Sequence, residues 1–351
     1  MRFALHNPTF LFDDGSRDFT GYRRSFFSRF KPVLYFPGMR SYLTQGRGLR
    51  KLLKERWGHD DFEICTSLNA LNREADALIS FNDYPYLPEN QPPRGFRGLK
   101  IWHLMDYVFS PEKTVEVLKN GGVDYLLGYA NHFEHCAFYR HFYSDWKGRL
   151  ITVPFGFGDR FECLTPIGAR DLRVAALGSV NPVSDPAVMA HVDFSSYQAF
   201  YRDHRWTHAW RRLLKESEDR LSNDMYSLLP DYPKTKNLEY DPVALLNQFS
   251  FFANDEGLMG FPPARTYEGI ACGCILVGAD HPCYRDLGFV DGENCILHQP
   301  LDIDDFLLKV RAVKSDPERM HGIAEAGYQL AWDHYTHESV AAKLGRAIEL
   351  I

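Results

Sequence analysis

Arg265 and Glu268 lie three residues apart in PARTYEGIACG (263–273), which runs directly into the apolar segment CILVG (274–278). The double proline of GFPPA (260–264) favours a helix start near Ala264, because a first helical turn needs neither proline's missing N–H nor a free φ. The unpaired N–H groups of such a start, aligned with the helix dipole, attract an anion. Arg265 adds a planar fork matched to phosphate oxygens. Glu268, one turn further in, would repel a phosphate, so its natural partners are sugar hydroxyls. A diphosphate at the helix start with a ribose diol on the glutamate is what a nucleotide-sugar demands. The same residues also fit a plainer arrangement: a small-residue helix packed on a sheet, with Arg265 and Glu268 paired at the surface. Gly269, Ala271 and Gly273 suit either, Gly273 as a left-handed helix stop.

Other groups are read by position. IWHLMDY (101–107) ends an apolar strand with His103 and Asp106, residue types able to take a proton from a hydroxyl. A buried histidine and a helix-capping aspartate fit them as well. FNDYPYLPE (81–89) places Asp83 and Tyr84 on a neighbouring loop suited to an acceptor, and His6 is a further, weaker candidate. Asp302-Ile303-Asp304-Asp305 has the look of a metal motif, but it precedes FLLKVRAV, where aspartates cap a helix. No metal and no cofactor are expected. Cys272-Gly273-Cys274 is too closely spaced for a zinc site, and the seven cysteines form no CxxC pair, the pattern of reduced thiols in a cytoplasmic protein.

These groups must be positioned by a chain of 351 residues, too long for one core. A hydrophobic content of 45% with 25% charged residues is that of a soluble globular protein, and a net charge of −6 argues against nucleic acid as a partner. Residues 1–60 nevertheless hold twelve Lys/Arg against five Asp/Glu, a basic face able to meet anionic lipid or an acidic acceptor, or simply to be solvated. No apolar run has the ~20 residues of a membrane span, and MRFALHNPTFLFDDG lacks a signal peptide's apolar region.

From about residue 32, continuous apolar runs alternate with helical patterns: PVLYFPG (32–38), DFEICTSL (61–68), ADALISFN (75–82), LKIWHLMD (99–106), VDYLLGYA (123–130) and LITVPFGF (150–157). Such runs predict a parallel sheet covered on both faces. The pattern restarts at LRVAALGSVNP (172–182), followed by one long amphipathic helix over 195–220 and strands at 225–230, 249–255, 273–280 and 293–299. Asp316 and Thr336 read as caps of the last two helices. The expected fold class is α/β, with two doubly wound Rossmann-like domains, 1–160 and 161–335, facing a central cleft, and a terminal helix (336–351) crossing back to the first.

Residues 250–350 carry a composite pattern: an aromatic-Glu-x-x-Ala-x-Gly helix, a buried strand, the turn Gly292-Glu293-Asn294, Asp316-Pro317-Glu318 and a terminal Tyr335-Thr336 helix. It resembles the C-terminal domain of the glycosyl transferases group 1, especially the spore-maturation-protein-like branch. VPFGFGDRF (153–161) is similar to the inter-domain segment of family 4 retaining enzymes, with Phe155 and Gly158 as departures. The resemblance implies the GT-B fold, with acceptor bound by the first domain and nucleotide-sugar by the second. It implies donor contacts at Gly178, Ser179 and Asn181, and at Arg265, Thr266, Tyr267 and Glu268. A phosphate-facing glycine loop follows at Gly46 and Gly48 in TQGRGLRKLLKERW, with catalytic roles near His103 and Asp106. The family's first motif glutamate falls at Gly260 here, which turns attention to Asp255 and to Glu256 as its replacement. Retention of configuration is implied; an inverting transferase, a nucleotide-sugar epimerase and a non-catalytic sugar- or nucleotide-binding assembly protein are the alternatives.

Overall fold

The computed structural model describes residues 1–12, 20–58, 61–105, 107–180, 195–202, 208–231, 240–257 and 259–351. The chain divides into two compact units. One comprises Met1–Tyr129, Ala137–Pro154 and His337–Ile351; the other comprises Ala130–Cys136 and Phe155–Thr336.

In the first unit the strands are β1 (Phe3–His6), β2 (Val33–Tyr35), β3 (Ile64–Cys65), β4 (Ala77–Ser80), β5 (Leu99–His103), β6 (Tyr125–Gly128) and β7 (Leu150–Thr152). They form one parallel sheet in the order β3-β2-β1-β4-β5-β6-β7. The apolar run Ala77-Leu78-Ile79 is fully buried, as a strand covered on both faces must be. The sequence reading began its strands near residue 32 and so lacked β1, the strand at which the order reverses. Only four residues long, it is defined by its partners: Ala4 pairs with Val33 on one side and Leu78 on the other. Helices α1 (Tyr22–Phe30) and α2 (Leu49–Trp57) make the β1–β2 and β2–β3 crossovers. Both connections run in the same direction, so their right-handedness puts both helices on one face of the sheet.

The second unit holds β8 (Asp171–Leu177), β9 (Met225–Leu228), β10 (Phe249–Ala253), β11 (Ile275–Ala279) and β12 (Ile296–His298), all parallel in the order β12-β11-β10-β8-β9. The long helix expected over 195–220 is broken. A short helix spans Ser195–Phe200, and α3 covers Ala209–Glu216 before Ser217, at φ −104° and ψ 10°, interrupts the helical path. Helix α4 (Ala264–Ala271) feeds β11 through Gly273, and α5 (Pro317–His334) is capped by Asp316, which accepts from the Arg319 N–H at 3.0 Å. Asp302 caps the helix Ile303–Lys314, accepting from the N–H groups of Asp304 and Asp305 at 2.9 Å each.

The terminal helix α6 (His337–Glu349) packs against α1 within the first unit. Gly345 makes the approach possible: a Cβ there would stand 2.1 Å from Phe30 Cζ. Overpacking such a contact costs roughly 1–3 kcal/mol, so Gly345→Leu is expected to lower the unfolding free energy by that amount, read as a lower midpoint in urea. An unchanged midpoint would show that the contact is dispensable.

Candidate functional site

In open α/β sheets ligands bind beyond the strand carboxyl ends where the strand order reverses. In the second unit that point lies between β8 and β10. β8 runs out into Gly178, at φ +123°, and Ser179; β10 runs out into Asn254, Asp255 and Glu256. Two guanidinium groups converge there. Arg265, in the first turn of α4, donates to Leu177 O at 2.7 Å and to the Tyr240 hydroxyl at 3.1 Å. Arg211, on α3, donates to Ser179 O at 3.4 Å, and its guanidinium carbon would lie 3.1 Å from a Cβ on Gly178. Burial lowers the Arg211 pKa, with Asp255 opposing and the nearby Arg265 adding repulsion. The sequence reading missed Arg211: in AWRRLLKE it reads as one more cation on an amphipathic face.

The two carboxyl groups beyond β10 are driven apart. Asp255 accepts from the backbone N–H groups of Arg211 at 2.9 Å and Gly257 at 2.7 Å. Burial alone would raise it, but His208, whose Nδ1 stands 3.7 Å away, and Arg211 hold it down at about 2. Glu256 goes the other way: burial first, then the Asp255 charge, push it up to about 7. It accepts a hydrogen bond from the Tyr284 hydroxyl. That hydroxyl accepts in turn from Asn254 Nδ2 at 2.8 Å, and the same amide donates to Thr266 Oγ1 at 2.5 Å. This chain of polar groups ties the end of β10 to α4 and to the Pro282–Asp286 helix.

Two expected donor contacts are thereby core instead. The Thr266 side chain is fully buried in that network, and Tyr267 is fully buried with its ring 4.7 Å from that of Tyr335. Both face inward because α4 lies against the β10–β11 layer on one side and α5 on the other. Glu268 is half-buried on the next turn, and Arg265 is bonded to Leu177 O and the Tyr240 hydroxyl. Gly260 has φ +66°, and a Cβ there would stand 2.8 Å from His135 O, so no glutamate fits the position. Asn181 lies outside the described residues.

In the first unit the order reverses between β1 and β4. Asn82 Nδ2 bridges the two strand ends, donating to His6 O at 3.0 Å and Asn7 O at 2.9 Å. Beside it lies a pocket of about 240 Å³ lined by Thr9, Thr20, Arg23, Asn82, Asp83 and Asn90, with Phe10 and Phe81. Arg23, another residue absent from the sequence reading, is buried with Nη2 3.9 Å from Asp83 Oδ1 and 3.4 Å from His103 Nδ1. It thus brings the expected residues Asp83 and His103 into one cluster. His103 is fully buried, its ring 4.9 Å from that of Tyr129. Tyr84 adopts φ +57°, with its ring 6.1 Å from Phe109, and does not line the pocket. Burial pushes His6 down to about 3, and neither ring nitrogen is hydrogen-bonded. The glycine loop is helical: Gly46 is buried and ends a π-turn over Tyr42–Gly46, and Gly48 caps α2 with φ −81°. Asp106 lies outside the described residues.

A carboxyl group whose folded pKa is raised stabilises the fold fully below its unfolded pKa, near 4.5, and loses that contribution as pH rises through about 7. Glu256→Gln is therefore expected to flatten the fall in melting temperature between pH 5 and 8. An identical fall in the variant would place the Glu256 carboxyl in the ordinary range.

The family model described as glycosyl transferase-like matches residues 162–345, more than half of the chain. No curated protein sequence matches it. Among solved structures, HepE from Anabaena in complex with UDP is similar over 100% of both chains, with a TM-score of 0.56 and 11% identity. Its complex with UDP-glucose aligns over 99% of both chains with a TM-score of 0.55 and 11% identity. Sucrose-phosphate synthase from Thermosynechococcus elongatus aligns over 100% of this chain and 98% of its own, with a TM-score of 0.51 and 11% identity. Two parallel, doubly wound sheets with these neighbours identify the GT-B fold. By its family match and its fold, the chain belongs to the glycosyl transferase-like family and is a glycosyltransferase.

Proposed function

We propose that the protein moves a sugar from a nucleotide-sugar to a hydroxyl of a saccharide or lipid-linked acceptor, with retention of configuration and without a metal ion. The observation that carries the donor assignment is the convergence of Arg211 and Arg265 on the end of β8, where Asp255 is ionised and burial raises Glu256 to about 7, leaving it only partly ionised. That arrangement leaves positive charge for a diphosphate. HepE, solved with UDP and with UDP-glucose, supports a donor of that class. As the bond from the anomeric carbon to the diphosphate oxygen breaks and the acceptor oxygen bonds to that carbon on the same face, the acceptor hydroxyl's proton passes to the leaving diphosphate, on whose oxygens negative charge gathers. The two guanidinium groups stabilise it, in the place a divalent cation would otherwise take. Glu268 takes the ribose hydroxyls. The pocket beside Arg23 and Asp83 takes the acceptor, its amides and hydroxyls matching sugar hydroxyls and its Phe10 and Phe81 rings a sugar face.

Charge-assisted hydrogen bonds contribute about 1.5–3 kcal/mol each. Arg211→Ala and Arg265→Ala are each expected to weaken UDP binding by roughly tenfold to a hundredfold in calorimetry, with folding retained. Unchanged affinity in both variants would overturn the donor assignment. Transfer is expected to persist in EDTA, and proton NMR of the first product is expected to show the donor's anomeric configuration; the opposite anomer would mark an inverting enzyme.

A further inference from the structure

Residues 20–58 contain ten Lys/Arg and a single carboxylate, Glu55. Five of these cations fall on the outer side of a nearly continuous helical stretch, from Met39 through the π-turn Tyr42–Gly46 to the end of α2 at Trp57. The inner side is anchored: Leu49 and Leu53 are fully buried, Gly46 is buried, and the Tyr42 ring lies 5.7 Å from that of Phe36. The outer side carries Arg40, Arg47, Arg50, Lys51 and Lys54, all exposed. Set among these cations are two large apolar side chains four residues apart, Met39 at 58% and Leu43 at 54% exposure. Residues at that spacing share one side of a helix. Helix α1, on the same face of the sheet, adds Arg24 and Arg29, which line a surface depression of about 500 Å³ with Ser25, Ser28 and Glu338.

We infer that this face of the first unit docks on an anionic lipid surface. The cations match lipid phosphates, and Met39 and Leu43 enter the boundary between headgroups and acyl chains, the arrangement of a helix lying in the membrane plane. A nucleic acid matches the cations but offers no apolar phase to Met39 and Leu43. The attachment is peripheral: among the described residues no helix is long and apolar enough to cross a membrane. Neighbouring groups already engage part of the charge, Asp61 with Lys31 at 3.3 Å, Glu55 with Lys51 at 3.8 Å and the Phe62 ring with Arg50 at 4.8 Å, which concentrates the docking on Arg40 and Arg47.

The test is co-sedimentation of the full chain with vesicles, without donor or acceptor, so its outcome stands apart from the transferase reading. Binding is expected to phosphatidylcholine vesicles containing phosphatidylglycerol, to weaken steeply with salt, and to be absent on phosphatidylcholine alone. Arg40→Glu/Arg47→Glu and, separately, Met39→Ser/Leu43→Ser should each lower vesicle affinity at least about tenfold, with melting temperature and UDP affinity unchanged. Equal binding to both vesicle types, no binding to either, or wild-type binding by both variants would overturn the proposal. So would duplex DNA displacing the protein from anionic vesicles while the Met39→Ser/Leu43→Ser variant binds them normally.

Discussion

Two guanidinium groups held side by side at the end of a buried strand repel each other, and much of the second unit can be understood as the means of keeping them there. Arg265 is tethered to Leu177 O and Tyr240, Arg211 to Ser179 O. Asp255 supplies one negative charge and is itself fixed by the backbone N–H of Arg211. Had Glu256 been ionised too, the site would be neutral and a diphosphate would gain little by entering. Burial beside Asp255 raises the Glu256 carboxyl to about 7, so near neutral pH it is only partly ionised and net positive charge remains. The polar chain through Tyr284, Asn254 and Thr266 then fixes Glu256 relative to the helix that carries Arg265, so the electrostatics and the backbone frame are one construction.

The parallel sheets were legible because their strands are continuous apolar runs, which only a strand covered on both faces tolerates. Cap residues were equally plain: Asp302 and Asp316 accept the N–H bonds their positions demand. β1 was not legible, since a four-residue apolar run acquires meaning only from the strands on either side of it. The broken helix over 195–220 shows the same limit from the other direction: apolar spacing persists across an interruption that backbone geometry introduces at Ser217.

The candidate site was half legible. Arg265 stood out by its place after a double proline, and the acids of Asn254-Asp255-Glu256 by their place after an apolar run. Thr266 and Tyr267 were misplaced because helical periodicity does not say which side of a short helix meets the sheet when nearly every residue is small or amphipathic. Arg211 and Arg23 escaped notice because each sits in a run of cations, where nothing local separates the buried one from its solvated neighbours. Burial is a property of the fold, and so is the upward shift at Glu256. In the first unit, Asp83 and His103 were named as separate candidates; Arg23, which joins them, came from a helix more than fifty residues earlier.

Gly260 also bears on how this chain can change. A side chain there would meet the carbonyl of His135, contributed by the short segment Ala130–Cys136 that joins the second unit from elsewhere in the chain. Placing a glutamate at 260 therefore takes two coordinated changes, one at the residue and one that moves a distant segment out of its way. A single substitution meets a steric barrier before it can meet any selective advantage. The route open to gradual adaptation runs through the neighbours Asp255 and Glu256, whose charges can be retuned one residue at a time.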